Sequence, residues 1–341
     1  MSAAGKGGVT RIGINGFGRI GRAVYRLLSA RPDLQVVAIN DLYDNDQLAY
    51  LLRFDTVQGR FDKPVEVHDD ALIVGGERVE MTAERDPTQI PWREHGVELV
   101  VESTGVFRHR EKVAWHLEAG ARRVVLTVPP KDEIDAMIVC GVNDGDLRPE
   151  HRIVSNASCT TNCLAPLAKI LDDSFGIASG LITTVHAYTN DQRLADVPHK
   201  NLRRSRAAAE NIIPTTTGAA VAVGKVLPHL AGKLDGMAVR VPVPDGSIVD
   251  LVVELDQEVS AETVNQAVRE AAEGAMRGIV EYSEDPLVSS DVIGNPHSSI
   301  FDSLSTVTLH DRWLRVLSWY DNEWGYSNRV VDLLAKLAAF D

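Results

Sequence analysis

Two residues in the middle of the chain could together perform nucleophilic chemistry. Cys159 lies in the run SNASCTTNC, residues 155–163, between a short apolar strand and a helical pattern that contains Pro166. Because proline is tolerated near the start of a helix, we place Cys159 at or just before the first turn, where the helix end lowers the thiol pKa. His186, at the end of a later apolar run, is a candidate base. A histidine at a strand end has structural and catalytic interpretations, and the spacing alone leaves both open.

The two other cysteines are interpreted as packing residues. Cys163 follows Cys159 by one helical turn, and Cys140 lies inside an apolar run. A free cysteine is usually a small buried hydrophobe, but small polar neighbours on both sides of Cys159 argue against that role there. No second pair of ligands at zinc spacing accompanies these cysteines, so no metal site is predicted.

A glycine-rich turn near the N-terminus has the spacing of a dinucleotide site. Gly16, Gly18 and Gly21 follow the first apolar strand and open the first helical pattern. Glycines in these places allow a tight turn, close approach of a pyrophosphate and close helix packing. Asp41 ends the second strand, where a carboxylate holds a ribose 2′-OH and repels a 2′-phosphate. The pattern favours NAD over NADP; a purely structural turn beside a surface aspartate is the alternative.

Alternating strands and helices surround this turn. The predicted strands cover residues 10–15, 35–40, 97–102, 124–128, 137–142 and 152–154. The predicted helices cover residues 19–30 and 109–119. This alternation indicates βαβ units and an α/β, Rossmann-type domain with a mostly parallel sheet.

The pattern changes after about residue 180. Longer strands are predicted at residues 181–186, 237–243, 248–255, 305–309 and 313–319, with turns at 244–246 and 310–311. One helix is expected between Ser260 and Gly274, and another over 328–340. We therefore predict a second, α+β catalytic domain with a largely antiparallel sheet. The expected boundaries are 1–158 for the NAD-binding domain, with a helix at about 321–341 returning to it, and 159–320 for the catalytic domain.

Composition limits the partners and the compartment. The chain has 341 residues, more than one compact core usually holds, and a net charge of −13. Such an acidic chain is poorly suited to nucleic acid or anionic lipid, so neither is an expected partner. The N-terminal residues contain no apolar segment, and there are only three cysteines. These features predict a cytoplasmic protein in a reducing compartment.

Several strings, in order along nearly the whole chain, resemble the glyceraldehyde-3-phosphate dehydrogenase family. They are INGFGRIGR at 14–22, ESTG at 102–105, SNASCTTNC at 155–163, TVHAYT at 184–189, LRRSRAAA at 202–209 and YDNEWGY at 320–326. The resemblance implies an NAD-dependent oxidoreductase of glycolysis or gluconeogenesis. Such an enzyme converts glyceraldehyde 3-phosphate and inorganic phosphate to 1,3-bisphosphoglycerate through a thioester on Cys159.

The resemblance also implies residue roles. Cys159 would be the nucleophile, and His186 would accept its proton and orient the aldehyde. The residues implied to contact NAD are Asn15, Gly16, Gly18, Arg19, Ile20, Gly21, Asp41, Thr104, Thr127, Asn322 and Tyr326. Those implied for the substrate phosphate are Thr189 and Arg240, and those for the attacking phosphate are Ser158, Thr160, Arg204, Thr217 and Gly218. The family is usually a homotetramer in which a loop, here about 191–206, reaches a neighbouring subunit's cofactor.

Departures from the family pattern leave two alternatives. Residues 126–133 differ from the usual string, although Thr127 still offers a hydroxyl. Residues 135–138 and 295–300 lean towards erythrose-4-phosphate dehydrogenase, whereas 187–193 and 197–200 favour the triose phosphate enzyme. A non-catalytic NAD-binding module is the third interpretation. Such a module would not need the thiol, the histidine and the phosphate-binding residues together.

Overall fold

The computed structural model describes residues 8–340, which divide into two compact units. The first comprises the described parts of Met1–Ile138, Gly145–Ala157 and Ser327–Asp341. The second comprises Val139–Asp144 and Ser158–Tyr326. Each unit contains its own large sheet.

The first unit is built on a nine-stranded sheet with the order β10-β11-β9-β8-β1-β2-β7-β6-β5. The strands of this unit are β1 (Thr10–Asn15), β2 (Leu34–Asn40), β3 (Phe54–Asp55), β4 (Gly59–Arg60), β5 (Val65–His68), β6 (Ala71–Val74), β7 (Glu77–Thr82), β8 (Leu99–Glu102), β9 (Arg123–Leu126), β10 (Ala136–Met137) and β11 (Ile153–Ser155). All neighbours are parallel except β5–β6 and β6–β7, and β3 pairs separately with β4. The predicted mostly parallel, Rossmann-type sheet is confirmed.

The strand order places the carboxyl ends of β2, β1 and β8 side by side. From β1 the chain proceeds outwards to β2 and later returns to add β8 on the other side. This reversal is the point at which open α/β sheets bind ligands. The helices of this unit are α1 (Arg19–Leu28), α2 (Asn45–Arg53) and α3 (Arg110–Glu118). A buried apolar cluster that includes Trp92, Val100, Val113 and Leu126 packs around β8 and β9.

The strand predicted over residues 137–142 is wrong beyond Met137. In the residues that follow, side chains take the backbone N–H groups that a sheet would need. Asn143 accepts from the Val139 N–H at 2.9 Å, and Asp144 accepts from the Gly141 N–H. Gly141 also has a φ of 82°, outside the strand region. Short polar side chains therefore end the strand here.

The second unit contains a seven-stranded sheet with the order β13-β14-β12-β15-β18-β17-β16. Its elements in chain order are α4 (Cys159–Phe175), β12 (Ile177–Ala187), β13 (Ile213–Thr216), α5 (Ala219–Val226), β14 (Leu234–Val241), β15 (Ser247–Leu255), α6 (Ala261–Glu273), β16 (Val280–Ser283), β17 (Ser299–Leu309) and β18 (Trp313–Tyr320). The last helix, α7 (Trp324–Ala338), begins in this unit and belongs to the first unit from Ser327 onwards. Only β12–β14 and β16–β17 are parallel. This confirms the predicted α+β class with a largely antiparallel sheet.

The strands on either side of the 244–246 turn, β14 and β15, are not neighbours in the sheet. β12 lies between β14 and β15, with His186 opposite Arg240 on β14 and Val185 opposite Ile248 on β15. The connection crosses the end of β12, where the Tyr188 N–H donates to the Val243 carbonyl at 3.1 Å. The inserted strand brings His186 beside a cationic side chain.

The last helix begins at Trp324, between the two predicted starts at residues 321 and 328. The N–H groups of Glu323 and Trp324 donate to Asp321 Oδ1 at 2.8 and 2.6 Å, so a carboxylate directly after β18 opens the helix. Within residues 8–340, no helix is both long enough and apolar enough to cross a membrane.

Candidate active site

Cys159 and His186 are in contact. Cys159 is the first residue of α4, and Ser158 caps the helix by accepting from the Thr161 N–H at 3.1 Å. Pro166 lies inside α4, beyond the first turn, further in than the sequence argument assumed. The Sγ atom of Cys159 lies 3.4 Å from Nε2 of His186, near the end of β12. The pair therefore has the geometry for proton transfer between a nucleophile and a base.

Tyr320 holds the two elements that carry this pair. Its buried hydroxyl is 2.9 Å from the hydroxyl of Thr160 on α4 and 2.9 Å from that of Thr184 on β12. Its ring also packs edge-on against the His186 ring, with centroids 5.9 Å apart. In the sequence, Tyr320 is recognisable only as part of a string that matches the family, and no role was predicted for it. Its partners are 160 and 136 residues away, so no local pattern could have identified them.

The second ring nitrogen of His186 is fixed by one carbonyl. Nδ1 lies 2.7 Å from the Ala187 oxygen and 3.0 Å from an Arg240 nitrogen, and that nitrogen donates to the same oxygen at 2.9 Å. The guanidinium has no acceptor to offer, so the carbonyl is the natural partner for a proton on Nδ1. This tautomer leaves Nε2 as an acceptor directed at the Cys159 thiol.

Burial dominates the acid–base behaviour of the pair. Burial, followed by the positive charge of Arg240, lowers the pKa of His186 to about 3. Burial also raises the pKa of Cys159, and Arg240 and the Thr160 N–H offset this only in part. The predicted lowering of the thiol pKa is therefore wrong, because desolvation outweighs the helix terminus. The favoured resting state is a thiol beside a neutral imidazole, which can accept the proton as the sulfur attacks.

Replacing Arg240 with leucine should move the pH midpoint of Cys159 alkylation upwards. The guanidinium lowers the thiol pKa, so its loss should raise that pKa further. The rate of iodoacetamide labelling, measured across the neutral and alkaline range, reports the midpoint. Arg315→Leu is the matched control, because that guanidinium pairs with Asp250 at 2.7 Å. An unchanged or lower midpoint in Arg240→Leu would contradict the electrostatic assignment.

Three residues expected to bind phosphate surround one carboxylate. The Thr189 hydroxyl and an Arg204 nitrogen both donate to Asp191, and Arg240 donates to the Thr189 hydroxyl at 3.1 Å. Burial opposes ionisation of Asp191, but Thr189, Arg204 and Arg240 together lower its pKa. Asp191 was missed by sequence analysis. The donor set already holds an anionic oxygen group, and phosphate oxygens need the same donors.

The remaining residues implied for phosphate binding lie at the starts of two helices. They are Ser158 and Thr160 at α4, and Thr217 and Gly218 at α5. Gly218 is the N-cap of α5, and the Thr217 hydroxyl accepts from the Ala219 N–H at 3.2 Å. Helix N-termini carry N–H groups without intrahelical partners, which suit an anion.

In the first unit, two of the three glycines of the turn are required by close packing, and the third borders open space. Gly16 has a φ of 90°, and a Cβ there would meet the Thr104 backbone nitrogen at 2.8 Å. A Cβ on Gly21 would lie 2.2 Å from the Gly16 oxygen, so α1 packs against the turn only without a side chain. A Cβ on Gly18, the N-cap of α1, would meet nothing within 4 Å. Open space therefore lies at the helix N-terminus, where a pyrophosphate needs it.

The other residues implied for NAD in this unit lie at the same edge of the sheet. Asp41 follows β2 and accepts from the Phe17 N–H at 2.6 Å. Arg19 opens α1 and pairs with Asp55 at 2.6 Å, with Ile20 next to it. Three further residues end β1 or follow β8 and β9: Asn15, Thr104 and Thr127. The Thr127 hydroxyl donates to the Glu102 carbonyl at 3.1 Å.

Asn322 and Tyr326 belong to the second unit and are buried. Ser247, at the start of β15, donates to Asn322 Oδ1 at 2.6 Å and accepts from the Ala187 N–H at 3.1 Å. Ser247 thus fixes the orientation of the Asn322 amide, and its hydroxyl links Asn322 to Ala187, the residue that follows His186. No role was predicted for Ser247 from the sequence.

Comparison with known proteins decides the family. The family model described as the NAD binding domain of glyceraldehyde 3-phosphate dehydrogenase matches residues 10–110, and the model of its C-terminal domain matches 158–322. Glyceraldehyde-3-phosphate dehydrogenase 2 of Bacillus subtilis (strain 168) is 56% identical over 330 residues, covering 96% of this chain and 97% of the relative. The chain belongs to the glyceraldehyde-3-phosphate dehydrogenase family.

Other relatives in this family are equally similar. Glyceraldehyde-3-phosphate dehydrogenase of Geobacillus stearothermophilus is 57% identical over 330 residues, covering 96% of this chain and 98% of the relative. That of Streptomyces coelicolor is 55% identical over 326 residues, with 95% and 97% covered. The family, the oxidoreductase class and the NAD cofactor predicted from sequence are confirmed. The names of these relatives favour the triose phosphate interpretation over the erythrose phosphate alternative.

Proposed function

We propose that this chain oxidises glyceraldehyde 3-phosphate with NAD and inorganic phosphate, giving 1,3-bisphosphoglycerate in glycolysis or gluconeogenesis. The proposal rests mainly on the 3.4 Å distance between Cys159 Sγ and His186 Nε2. Arg240 and Thr189, whose guanidinium and hydroxyl groups can bind a phosphate, lie close to this pair. A thiol beside a base suits covalent catalysis on an aldehyde. Cationic and hydroxyl donors beside it suit a substrate that carries a phosphate.

The thiol and the histidine account for the covalent steps. Sγ of Cys159 forms a bond to the aldehyde carbon, and the thiol proton passes through Nε2 of His186 to the carbonyl oxygen. NAD, when bound, would accept the hydride that leaves the carbon of this adduct. His186 takes the hydroxyl proton as the adduct is oxidised to a thioester. A phosphate oxygen then attacks the thioester carbon, the carbon–sulfur bond breaks, and the sulfur regains a proton from His186.

The phosphate donors are proposed to form two groups. Thr189 and Arg240 hold the phosphate of the substrate. The attacking phosphate is held by Ser158, Thr160, Arg204, Thr217 and Gly218. The acidic chain carries a net charge of −13, so two anionic reactants need a local group of cations and N–H donors. Arg204 and Arg240 provide those cations, and the starts of α4 and α5 provide N–H groups.

The residues of the first unit fit the dinucleotide. The positive φ at Gly16, the open space at Gly18 and the close packing at Gly21 are what a pyrophosphate-binding turn requires. We propose that residues 1–158 form the NAD-binding domain, with the C-terminal helix from about 321 added to it, and that 159–320 form the catalytic domain. Asn322, with its oxygen engaged by Ser247, keeps its amide nitrogen for the nicotinamide amide.

Replacing Asp41 with glycine should narrow the preference for NAD over NADP. The carboxylate follows β2, where it repels a 2′-phosphate and attracts a 2′-OH. Its removal should lower kcat/KM with NAD about tenfold and leave NADP unchanged or improved. Ratios of kcat/KM measured with both cofactors test this expectation. Asp44→Gly is the control, because Asp44 follows β2 on the same connection, at the N-cap position of α2, and makes no side-chain hydrogen bond to the helix start. A cofactor ratio unchanged in Asp41→Gly would refute the role of Asp41.

The substrate is tested by NADH formation from glyceraldehyde 3-phosphate beside erythrose 4-phosphate. We expect the higher kcat/KM with the triose phosphate. A higher kcat/KM with erythrose 4-phosphate would show that the tetrose phosphate, and not the triose phosphate, is the substrate. NAD binding without oxidation of either sugar would support the non-catalytic module instead.

We further propose a cytoplasmic homotetramer in which the segment 191–206 approaches a neighbouring subunit's cofactor. Large apolar side chains in this segment are exposed: Leu194 by 86% and Leu202 by 82%. Exposed apolar residues grouped in one segment are typical of surfaces that another subunit covers. Sedimentation velocity would show whether the mass is that of four chains or of fewer.

A further inference from the structure

A completely buried carboxylate lies behind the dinucleotide turn. Glu102, the last residue of β8, has no exposed surface. Its Oε1 accepts from the backbone N–H of Thr104 at 2.9 Å and from the hydroxyl of the same residue. Its Oε2 lies 2.6 Å from the Asn15 amide nitrogen and 2.9 Å from Nε2 of His116. Four donors therefore converge on one buried carboxyl group, a costly arrangement unless each donor is held in place.

His116 is fixed by a second buried side chain. The indole N–H of Trp92 donates to Nδ1 of His116 at 3.0 Å, so the proton of the ring lies on Nε2 and is donated to Glu102. Nε2 is also 3.5 Å from the Asn15 amide nitrogen. Both nitrogens donate to Oε2 of Glu102, so they lie close together without being hydrogen-bonded to each other. Trp92 and His116 are themselves completely buried.

The carboxylate determines which way the Asn15 amide faces. The nitrogen of Asn15 donates to Glu102, so its oxygen faces the other way and accepts from the Asn40 amide at 2.9 Å. Asn40 Oδ1 in turn accepts from the Thr82 hydroxyl and the Glu84 N–H, both at 2.8 Å. Asn40 immediately precedes Asp41. A chain of hydrogen bonds therefore runs from Glu102 at the end of β8 through Asn15 at the end of β1 to Asn40 at the end of β2.

The carboxylate also fixes the backbone that faces the glycine turn. Thr104 uses both its N–H and its hydroxyl on Glu102. Gly16 approaches this residue so closely that a Cβ would lie 2.8 Å from the Thr104 nitrogen. The Gly16 N–H donates to the Asn40 carbonyl at 2.8 Å. Gly16 thus lies between Thr104 and Asn40, two residues whose positions depend on Glu102.

We infer that Glu102 is a positioning residue for the dinucleotide, holding the Asn15 amide and Thr104 in the arrangement that binds NAD. Trp92 and His116 complete the group by holding Glu102. The inference rests on the proposed function for the identity of the ligand. The position of the network supports it, because the carboxyl ends of β1, β2 and β8 meet at the ligand-binding edge of such a sheet.

The test compares two glutamates at opposite ends of one strand. Glu102→Gln replaces an acceptor oxygen with an NH2 group that faces donors, which turns or displaces Asn15 or Thr104. We expect the Kd for NAD, measured by calorimetry without aldehyde, to rise about tenfold. Glu98→Gln is the control, because Glu98 precedes β8 and pairs with Arg122 at 3.1 Å. Its Kd should stay within about twofold of the original.

A double variant separates positioning from a general loss of stability. If Glu102 acts through Asn15, the Glu102→Gln change should raise the Kd much less in an Asn15→Ala background than in the original chain. Thermal unfolding without NAD reports the stability of each variant. A lower melting temperature with an unchanged Kd for NAD in Glu102→Gln would reduce Glu102 to a structural role and overturn the inference.

A second pair of variants serves if Glu102→Gln does not fold. His116→Gln keeps an N–H that can reach Glu102, whereas His116→Leu removes it. We expect the Kd for NAD to rise at least about threefold in His116→Leu and to stay within about twofold in His116→Gln. Equal values in the two variants would overturn the inference.

Failure of the inference and failure of the proposed function are distinguishable in the same experiment. If the original chain binds NAD but oxidises neither sugar, the function fails while the Kd comparison still stands. If the chain turns over and Glu102→Gln binds NAD normally, the inference alone fails.

Discussion

Cys159→Ser should abolish dehydrogenase turnover, with kcat falling by at least about 10⁴-fold. The serine oxygen would lie at the start of α4 beside His186, but a hydroxyl is a far weaker acid than a thiol and does not form the reactive thioester. NAD affinity should stay within about twofold, because the residues proposed for the dinucleotide keep their contacts. Steady-state kcat and the calorimetric Kd for NAD give both quantities.

Cys163→Ala is the matched control for that variant. Cys163 is buried, its sulfur lies 3.7 Å from the Ser299 hydroxyl and the Ser318 carbonyl, and burial raises its pKa to about 12. A thiol so hard to ionise is a packing residue, so its loss should lower stability by about 1 kcal/mol and leave kcat within about threefold. Turnover retained in Cys159→Ser, or lost only in Cys163→Ala, would remove Cys159 from the mechanism.

His186→Asn should lower kcat by about 10² to 10⁴-fold, the usual contribution of a general base. The asparagine cannot accept the thiol proton as Nε2 does, and burial keeps the pKa of Cys159 raised, so the thiol stays protonated. Labelling of Cys159 by iodoacetamide at neutral pH should slow as well. Both rates are measured on the same preparation.

His229→Asn provides the control for the loss of a histidine. His229 lies on the surface of the same unit and pairs with Asp172 at 2.8 Å. Its replacement should leave both kcat and the labelling rate within about twofold. Labelling of Cys159 in His186→Asn at the original rate would mean that the histidine does not activate the thiol.

Local patterns were sufficient to predict the elements that carry the chemistry. β1 runs from Thr10 to Asn15, as expected, and after it Gly16 has a positive φ while Gly16 and Gly21 make the close contacts that the spacing suggested. Cys159 begins a helix, and Ser260 and Gly274 bound α6. Hydrophobic periodicity, capping residues and glycine requirements are properties of short segments, so they can be predicted from sequence.

Strand order and long-range contacts could not be predicted in this way. The insertion of β12 between β14 and β15 depends on how the whole sheet is assembled. Tyr320, Ser247 and Asp191 received no role because their partners lie far away in sequence or belong to a polar cluster formed only on folding. The thiol pKa was predicted in the wrong direction for the same reason, since burial is not visible in a local sequence.

The Glu102 group shows a further limit of local patterns. Glu102 lies in a string that matches the family, His116 lies in a predicted helix, and Trp92 lies outside the predicted strands and helices. Only the folded unit shows that these residues form one hydrogen-bonded group behind Asn15. A buried carboxylate with four donors is therefore a feature that a structure reveals and a motif search does not.

A rapid-mixing experiment with glyceraldehyde 3-phosphate and NAD, first without and then with inorganic phosphate, tests for the thioester on Cys159. We expect a burst of one NADH per Cys159 thiol, followed by near arrest, because the thioester accumulates without an attacking phosphate. Addition of phosphate should restore steady turnover. Continuous NADH formation at full rate without phosphate, or no burst at all, would contradict the proposed thioester on Cys159.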